Sequence, residues 1–326
     1  MTYLPLNKRG WKLDKEVLRA LLLTSKEQYI TKHKERLLKI KPLWDKIQAE
    51  IPIPESLEPM LTLCTNQELR DIWFYGRLTV SSAPWSGDVG RRFQYLIQDK
   101  TTGFILGIVG LSSSLSIPLF DKHVGWNKEF KWKQHKINHT MNMSHCIATP
   151  ELSKYLIGKL CALSCRSSEV INHFESSYDD EAVCWMTTSL FGKSSVYNRL
   201  DGFEYLGNTK GYSAALIPLE IKEKMRKEYQ EKHGKHSEIY TKPDGTVVKY
   251  GTVKTFQKIS KYTKVQRIEN IRGVYAISLA DNYKEFLCGE TDELQPHDHK
   301  TFEELTAYWK ERWMLPRQQR ILNGEI

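Results

Sequence analysis

The sequence predicts a mixed α/β core between two basic segments, and three observations lead there. Short runs of strand formers and amphipathic helical stripes interleave through the middle of the chain. At 326 residues, with 40% apolar, 27% charged and 11% aromatic side chains, the composition is globular and the chain is long enough to bury a core. The positive charge lies outside the middle: residues 1–50 carry twelve Lys/Arg against six Asp/Glu, and residues 221–272 carry fourteen against six. Segments 51–220 and 273–326 come to −1 and −4 within an overall +9. Clustered Lys and Arg suit a polyanion, because they release counterions from phosphates. The competing account is solvated helix faces. The expected organisation is a basic helical arm (1–54), a core (55–220) and a basic strand/helix C-terminal extension (221–326).

The arm opens with a short helix from Asp14 to about Leu23, where Val17, Leu18 and Leu21 share a face. Ser25 followed by Gln28 makes a capping-box start for a second helix, whose stripe is Tyr29, Leu37, Leu38, Ile40, Trp44 and Ile47. Pro42 is expected to kink or divide that helix. Ile51-Pro52-Ile53-Pro54 reads as an extended linker. In the core, Phe93–Ile97 and Phe104–Leu111 form a hairpin around the turn residues Asp99–Gly103. Ser144–Ala148 is a short strand, and Glu151 to about Cys165 a helix with Leu152, Leu156, Leu160 and Leu163 on one face. Strands over Val183–Thr188, Phe203–Leu206 and Tyr212–Ile217 surround a short helix at Ser194–Leu200.

In the extension, Lys222 to about Glu231 is a charged helix and Pro243-Asp244-Gly245 a β-turn between polar strands. From Lys249 to Lys264 lysines alternate with Tyr250, Phe256 and Tyr262, a texture that suits phosphate contact with base stacking. The plainer account is a small sheet with its aromatics inward and its lysines in water. Phe302–Arg312 is a helix carrying Leu305, Tyr308 and Trp309 on its face.

Several classes are argued against. Nothing apolar approaches the ~18 residues of a membrane span, and Met1-Thr2-Tyr3-Leu4-Pro5 is followed by charges rather than a signal core. The expectation is a soluble, cytoplasmic protein with no membrane partner. The six cysteines form no CxxC pair, which suits reduced thiols. His297-Asp298-His299 and His233/His236 lack a second ligand pair nearby, so no metal is assigned. No carboxylate triad stands at a diagnostic spacing, which leaves a nuclease or transposase site neither supported nor excluded. His145 reads as a satisfied core histidine.

Thr187, Thr188, Ser189, Ser194 and Ser195 crowd the mouth between a strand and the short helix, around Tyr197. Hydroxyls and helix amides there can hold a phosphate or carbonyl. Taken one at a time, Ser194 is an N-cap and the threonines are strand residues. Gly90-Arg91-Arg92 before a strand is either a phosphate contact or plain surface.

From Cys146 to Ile217 the order strand, helix, strand, short helix and Gly-Phe-Glu strand (Gly202-Phe203-Glu204) resembles the second half of the GNAT acyltransferase fold. That resemblance implies a GNAT-like mixed sheet with flanking helices, in which a splayed strand pair admits the donor and a glycine-bearing loop before the central helix holds its pyrophosphate. In that frame this sequence reads Ser153-Lys154-Tyr155-Leu156-Ile157-Gly158. Ser153 and Gly158, with Ser189 and Ser194, are the cofactor-binding candidates. Leu156 stands where the family uses glycine, which argues against acetyl-coenzyme A and leaves the donor unassigned. The family's tyrosine general acid falls on Tyr197, with Ser195 and Thr188 as further catalytic candidates.

A second resemblance covers more chain. Gly90-Arg91-Arg92-Phe93-Gln94-Tyr95-Leu96-Ile97, then Gly103, Leu106-Gly107 and Asp121-Lys122-His123-Val124-Gly125-Trp126 resemble the central region of the DruA family, named for the Druantia anti-phage system. Thr187-Thr188 through Gly192, Tyr197 and Leu206-Gly207-Asn208-Thr209-Lys210-Gly211 are similar to its later segment. The similarity spans about 70–220 and leaves both basic flanks outside. The Mom-type phage proteins, which modify adenine in DNA, share the late Tyr-to-Gly segment. Together these imply a transferase acting on DNA bases; the basic segments 1–50 and 221–272 would hold the DNA by their charge, with Arg91, Arg92, Lys249, Lys254, Lys258, Lys261, Lys264 and Arg267 as the contact candidates. The alternatives are a non-catalytic DNA-binding defence or mobile-element protein on a degenerate GNAT scaffold, or a small-molecule N-acyltransferase.

Overall fold

The structure, a computed structural model, describes residues 11–12, 23, 26–83, 90–126, 136–190, 192–209, 227, 231, 239–241, 247–249, 268–269 and 271–325. Two compact units result. One comprises His33–Ser81, Gly87–Thr209 and Arg272–Ile326; the other Met1–Lys32, Ser82–Ser86 and Lys210–Ile271. The larger unit therefore draws on the expected arm, core and extension alike.

The larger unit is a seven-stranded mixed sheet with helices on both faces. Its strands are β1 (Pro59–Leu63), β2 (Arg92–Asp99), β3 (Ile105–Ser113), β4 (Thr140–Ala148), β5 (Cys184–Ser189), β6 (Phe203–Asn208) and β7 (Gly273–Ser278). They lie in the order β1-β2-β3-β4-β5-β7-β6. Every neighbouring pair is antiparallel except β4 and β5. The helices are α1 (Lys34–Ile47), α2 (Gln67–Thr79), α3 (Pro118–His123), α4 (Ile157–Ser164), α5 (Ser168–Tyr178), α6 (Tyr283–Cys288), α7 (Phe302–Trp309) and α8 (Leu315–Leu322). A π-helical turn, Lys310–Met314, joins the last two.

β3 is the hydrophobic spine of the sheet, buried from Ile105 to Ser112. Both of its faces are covered, so its sequence is continuously apolar rather than alternating. Its glycines make room on opposite sides. A β-carbon at Gly107 would collide with Cys161 Sγ of α4, and one at Gly110 would lie 2.8 Å from His145 Nδ1 and 2.9 Å from Trp73. On the first face Leu160, Phe174, Trp185, Tyr275 and Trp309 pack together; on the other, towards α3 and α6, Phe120, Trp126, Met186, Val274 and Phe286 do. His145 is buried edge-on to Trp73, as expected of a core histidine.

The elements depart from expectation at definite places. α1 runs through Pro42 without a break; the helical run is interrupted instead at His33. The expected helix over Ser194–Leu200 is a succession of turns, and the helix expected from Glu151 begins only at Ile157. The expected helix at 14–23 apart from Leu23, the Ser25 cap of the second helix, the strand at 212–217 and nearly all of the helix at 222–231 lie outside the described residues. Within the smaller unit, Trp11–Lys12 pairs in parallel with Ile268–Glu269, and Ile239–Thr241 pairs antiparallel with Val247–Lys249; the turn expected at 243–245 lies outside the described residues. Among the described residues no helix is long and apolar enough to cross a membrane.

Candidate functional site

The site lies where β4 and β5 part. Their parallel register holds for three pairs only, Thr140 with Cys184, Met141 with Trp185 and Asn142 with Met186. β4 then continues to Ala148 on β3, and β5 to Ser189 on β7, without pairing to each other. At the parting Thr187 Oγ1 donates to the Met143 carbonyl at 2.8 Å.

Tyr197 fills this place. It is buried, stacked on Phe203 (centroids 5.9 Å) and edge-on to Tyr275 (5.0 Å). Its hydroxyl shares hydrogen bonds with the side chains of Thr187 and Cys146. Burial holds the phenol pKa well above its ordinary value, the neighbouring Cys146 adds to that, and the Thr187 bond opposes it. The Cys146 thiol is likewise pushed up, by its hydrogen bond with Cys161 and by burial. Both groups therefore keep their protons at neutral pH, and a buried neutral phenol can deliver a proton to a departing anion.

Lys159 of α4 organises the segment that carries Tyr197. Its Nζ donates to the carbonyls of Ser195 (2.8 Å), Val196 (3.1 Å) and Asn198 (2.8 Å), using all three ammonium donors. Burial, then the nearby Arg199, lowers its pKa to about 8. The segment makes one helical bond, Asn198 N to the Ser194 carbonyl at 3.2 Å, and Arg199 then turns into the left-handed region at φ 60°. A left-handed residue at that place ends the single helical turn, and 194–200 is a run of turns.

The loop before α4 carries a second left-handed residue. Leu156 has φ 64° and ψ 31°, the backbone a glycine would adopt at that place, but it brings a side chain that packs on the core. Trp309 Nε1 donates to the Leu156 carbonyl at 3.1 Å, and Arg317 Nε to that of Lys154 at 3.2 Å. The C-terminal helices are thus tied to the loop. Ser153 is exposed, with its hydroxyl on the Pro150 carbonyl at 2.8 Å. Gly158 stands in the first turn of α4, where a β-carbon would make ordinary contact with Val196. A leucine on the loop and a helix pair tied to its carbonyls do not match a pyrophosphate cradle.

The hydroxyl cluster is not one cluster. Successive strand residues face opposite sides of a sheet, so Thr187 points towards Tyr197 while Thr188 points away. Ser189 donates to the Gly192 carbonyl. Ser194 accepts from Val196 N at 3.2 Å, and its amide donates to Tyr275 Oη at 2.7 Å. Ser195 is exposed and contributes its carbonyl to Lys159. Lys159 and Cys146 are site residues that the sequence motifs do not single out. The available signal is a lone lysine inside the apolar run Ile157–Leu163.

Of the nucleic-acid candidates, Arg91 is committed to the fold: it pairs with Asp180 at 2.5 Å, donates to the Asn138 carbonyl at 2.9 Å and lies over Tyr178. Arg92 is exposed at the start of β2. Lys249 ends a strand opposite Ile239, and Lys254, Lys258, Lys261, Lys264 and Arg267 lie outside the described residues. Among the described residues no three His, Cys, Asp or Glu side chains converge as metal ligands. His297 is tied to Asp281 at 3.1 Å.

The family model for Druantia protein DruA matches residues 12–289. The chain belongs to the DruA family. A curated relative, Druantia protein DruA of Escherichia coli (strain UMEA 4076-1), is 24% identical over 332 residues, covering 94% of this chain and 80% of that protein. The DruA match is wider than the 70–220 expected from motifs, and takes in the basic segment 221–272 and most of 1–50.

Proposed function

We propose that this DruA-family protein acts on DNA through an acyltransferase-type (GNAT-like) sheet, with Tyr197 as the proton donor in modification of a base. The observation that carries the reading is the buried, protonated Tyr197 at the point where the one parallel strand pair of the seven-stranded sheet separates after Asn142 and Met186. The strand order β1-β2-β3-β4-β5-β7-β6 supports it, since it leaves that parting in mid-sheet with a helix leaving β4 beside it. The net +9 and the basic segments supply attraction for a polyanion. A base in duplex DNA must be flipped out at a cost of a few kcal/mol, which contacts to the backbone would offset. The test is mass spectrometry of nucleosides from cells with and without the protein. A new nucleoside that depends on it is expected; an unchanged profile from cells challenged with phage and unchallenged alike would overturn the assignment.

The tied loop before α4 favours a second reading, a DNA-binding defence protein whose acyltransferase-type site turns nothing over. That reading predicts DNA binding with no new nucleoside.

A further inference from the structure

Close to Tyr197, three cations gather on one indole. Trp313, buried at 5% exposure, sits in the π-helical turn Lys310–Met314. Lys159 Nζ lies 4.3 Å from its ring centroid, and the guanidinium carbons of Arg199 and Arg312 each lie 5.1 Å from it. Lys159 is saturated by three carbonyls, but the two arginines are exposed, and among the described residues neither has a carboxylate partner. Like charges so gathered repel one another, and the face of the ring offsets only part of this.

Both arginines stand on unusual backbone. Arg199 is in the left-handed region at φ 60°, a conformation that side-chain-bearing residues rarely adopt, and the carbonyls just before it are fixed by Lys159. Arg312 stands on a π turn, an irregularity frequent at functional sites. The indole N–H has no acceptor among the described residues, so packing alone positions the ring. The result is a pair of guanidiniums on one indole, one of them two residues from Tyr197, with no carboxylate partner among the described residues.

We propose that Arg199 and Arg312, braced on Trp313, form a clamp for the phosphodiester backbone of DNA beside Tyr197. This rests on the reading that the protein acts on DNA, and gives that reading a docking point. Guanidiniums suit phosphate because their donors form a planar fork that matches two of its oxygens. A phosphate held here would place the sugar and base of the same strand near the parting of β4 and β5. The ribose-linked phosphates of a nucleotide donor offer the same chemistry, so the experiment must separate the two.

The experiment is a salt titration of duplex DNA binding by fluorescence anisotropy, on the full chain and on the Arg199→Gln/Arg312→Gln double variant. The expected result is weaker binding and a log–log salt slope shallower by about 0.9 for each phosphate that is no longer neutralised. A Lys100→Gln/Lys122→Gln variant removes the same charge from exposed positions elsewhere in the larger unit and is expected to leave the slope near wild type. Circular dichroism melts confirm that each variant folds; if the Gln pair fails to fold, Arg199→Lys/Arg312→Lys is read instead, retaining the slope but binding more weakly because the planar fork is gone. A wild-type protein that does not bind DNA overturns both the clamp and the DNA reading. Wild-type binding with an unchanged slope in the double variant, or an equal fall in the Lys control, overturns the clamp alone. So does calorimetry in which coenzyme A binds the wild type and not the double variant while DNA binding is unaltered.

Discussion

Lys159 is a buried ammonium whose three protons go to peptide carbonyls rather than to a carboxylate. Replacing it by Met leaves those acceptors short of donors, and a loss of roughly 2–3 kcal/mol in urea unfolding is expected. The replacement also has a pH signature. The folded pKa is about 8 against 10.5 for the unfolded chain, so between those values the unfolded state binds more protons. Stability due to this group is therefore flat below about 8 and rises towards 10.5. Buried tyrosines and cysteines with raised pKa values pull the other way in the same range. The quantity to measure is the difference between wild type and Lys159→Met, and it is expected to grow in favour of the wild type across that window. Tyr197→Phe keeps the ring against Phe203 and Tyr275 and loses only the hydroxyl. A stability change of about 1 kcal/mol, with loss of the modified nucleoside, is expected; full retention of product would reduce Tyr197 to packing. Tyr197 is legible in the sequence from its place before Gly202-Phe203. The orientation of Thr188 is not, because a sheet turns neighbouring residues to opposite sides and proximity in sequence does not reveal which is which. Arg91 has the right chemistry for phosphate, and only the fold reveals that Asp180 already holds it.

At the scale of elements, two residues break the usual rank order of substitution. Leu156 is left-handed, so Leu156→Ala keeps the backbone penalty while Leu156→Gly removes it. Glycine is expected to be more stable than alanine there by about 1 kcal/mol in chemical denaturation, the reverse of an ordinary helix start. An alanine at Gly107 would collide with Cys161 Sγ, and a destabilisation of roughly 1–3 kcal/mol follows from overpacking. That motif glycine is thus explained by packing between β3 and α4. The hairpin of β2 and β3 is readable from its alternation and its turn. α2 is not, because it is buried from Ile72 to Leu78 and shows no one-sided stripe. Sequence spacing places the start of α4 too early, since its leucines keep a helical period through a loop that the backbone at Leu156 interrupts.

At the scale of the molecule, the tail 273–326 is expected from sequence to belong to a basic extension, yet β7 lies between β5 and β6 and α7 packs on the core. A strand that completes a sheet from the far end of the chain leaves no local sign of its destination. The segment 210–271 leaves and re-enters the larger unit at one point, where Thr209 N donates to the Arg272 carbonyl at 2.8 Å and Arg272 N to Thr209 Oγ1 at 3.1 Å. Replacing 210–271 by a short Gly/Ser linker is therefore expected to preserve a cooperative melt of the larger unit. Because 221–272 holds fourteen Lys/Arg against six acids, DNA affinity and its salt dependence are expected to fall sharply in the same variant. An unchanged salt slope would remove this segment from the DNA-binding surface.

The meeting of Thr209 and Arg272 also sets a timetable for synthesis. When β6 leaves the ribosome its neighbour in the sheet has not yet been made, and β5 waits with an open edge until everything up to Ser278 has been translated. An open edge of this kind is an invitation to pair with another chain. Messages truncated within 210–271 should consequently yield aggregating products, whereas those that reach past β7 and the closing helices should not. The basic segment is thus also a delay, and its length determines how long the nascent sheet stays unfinished.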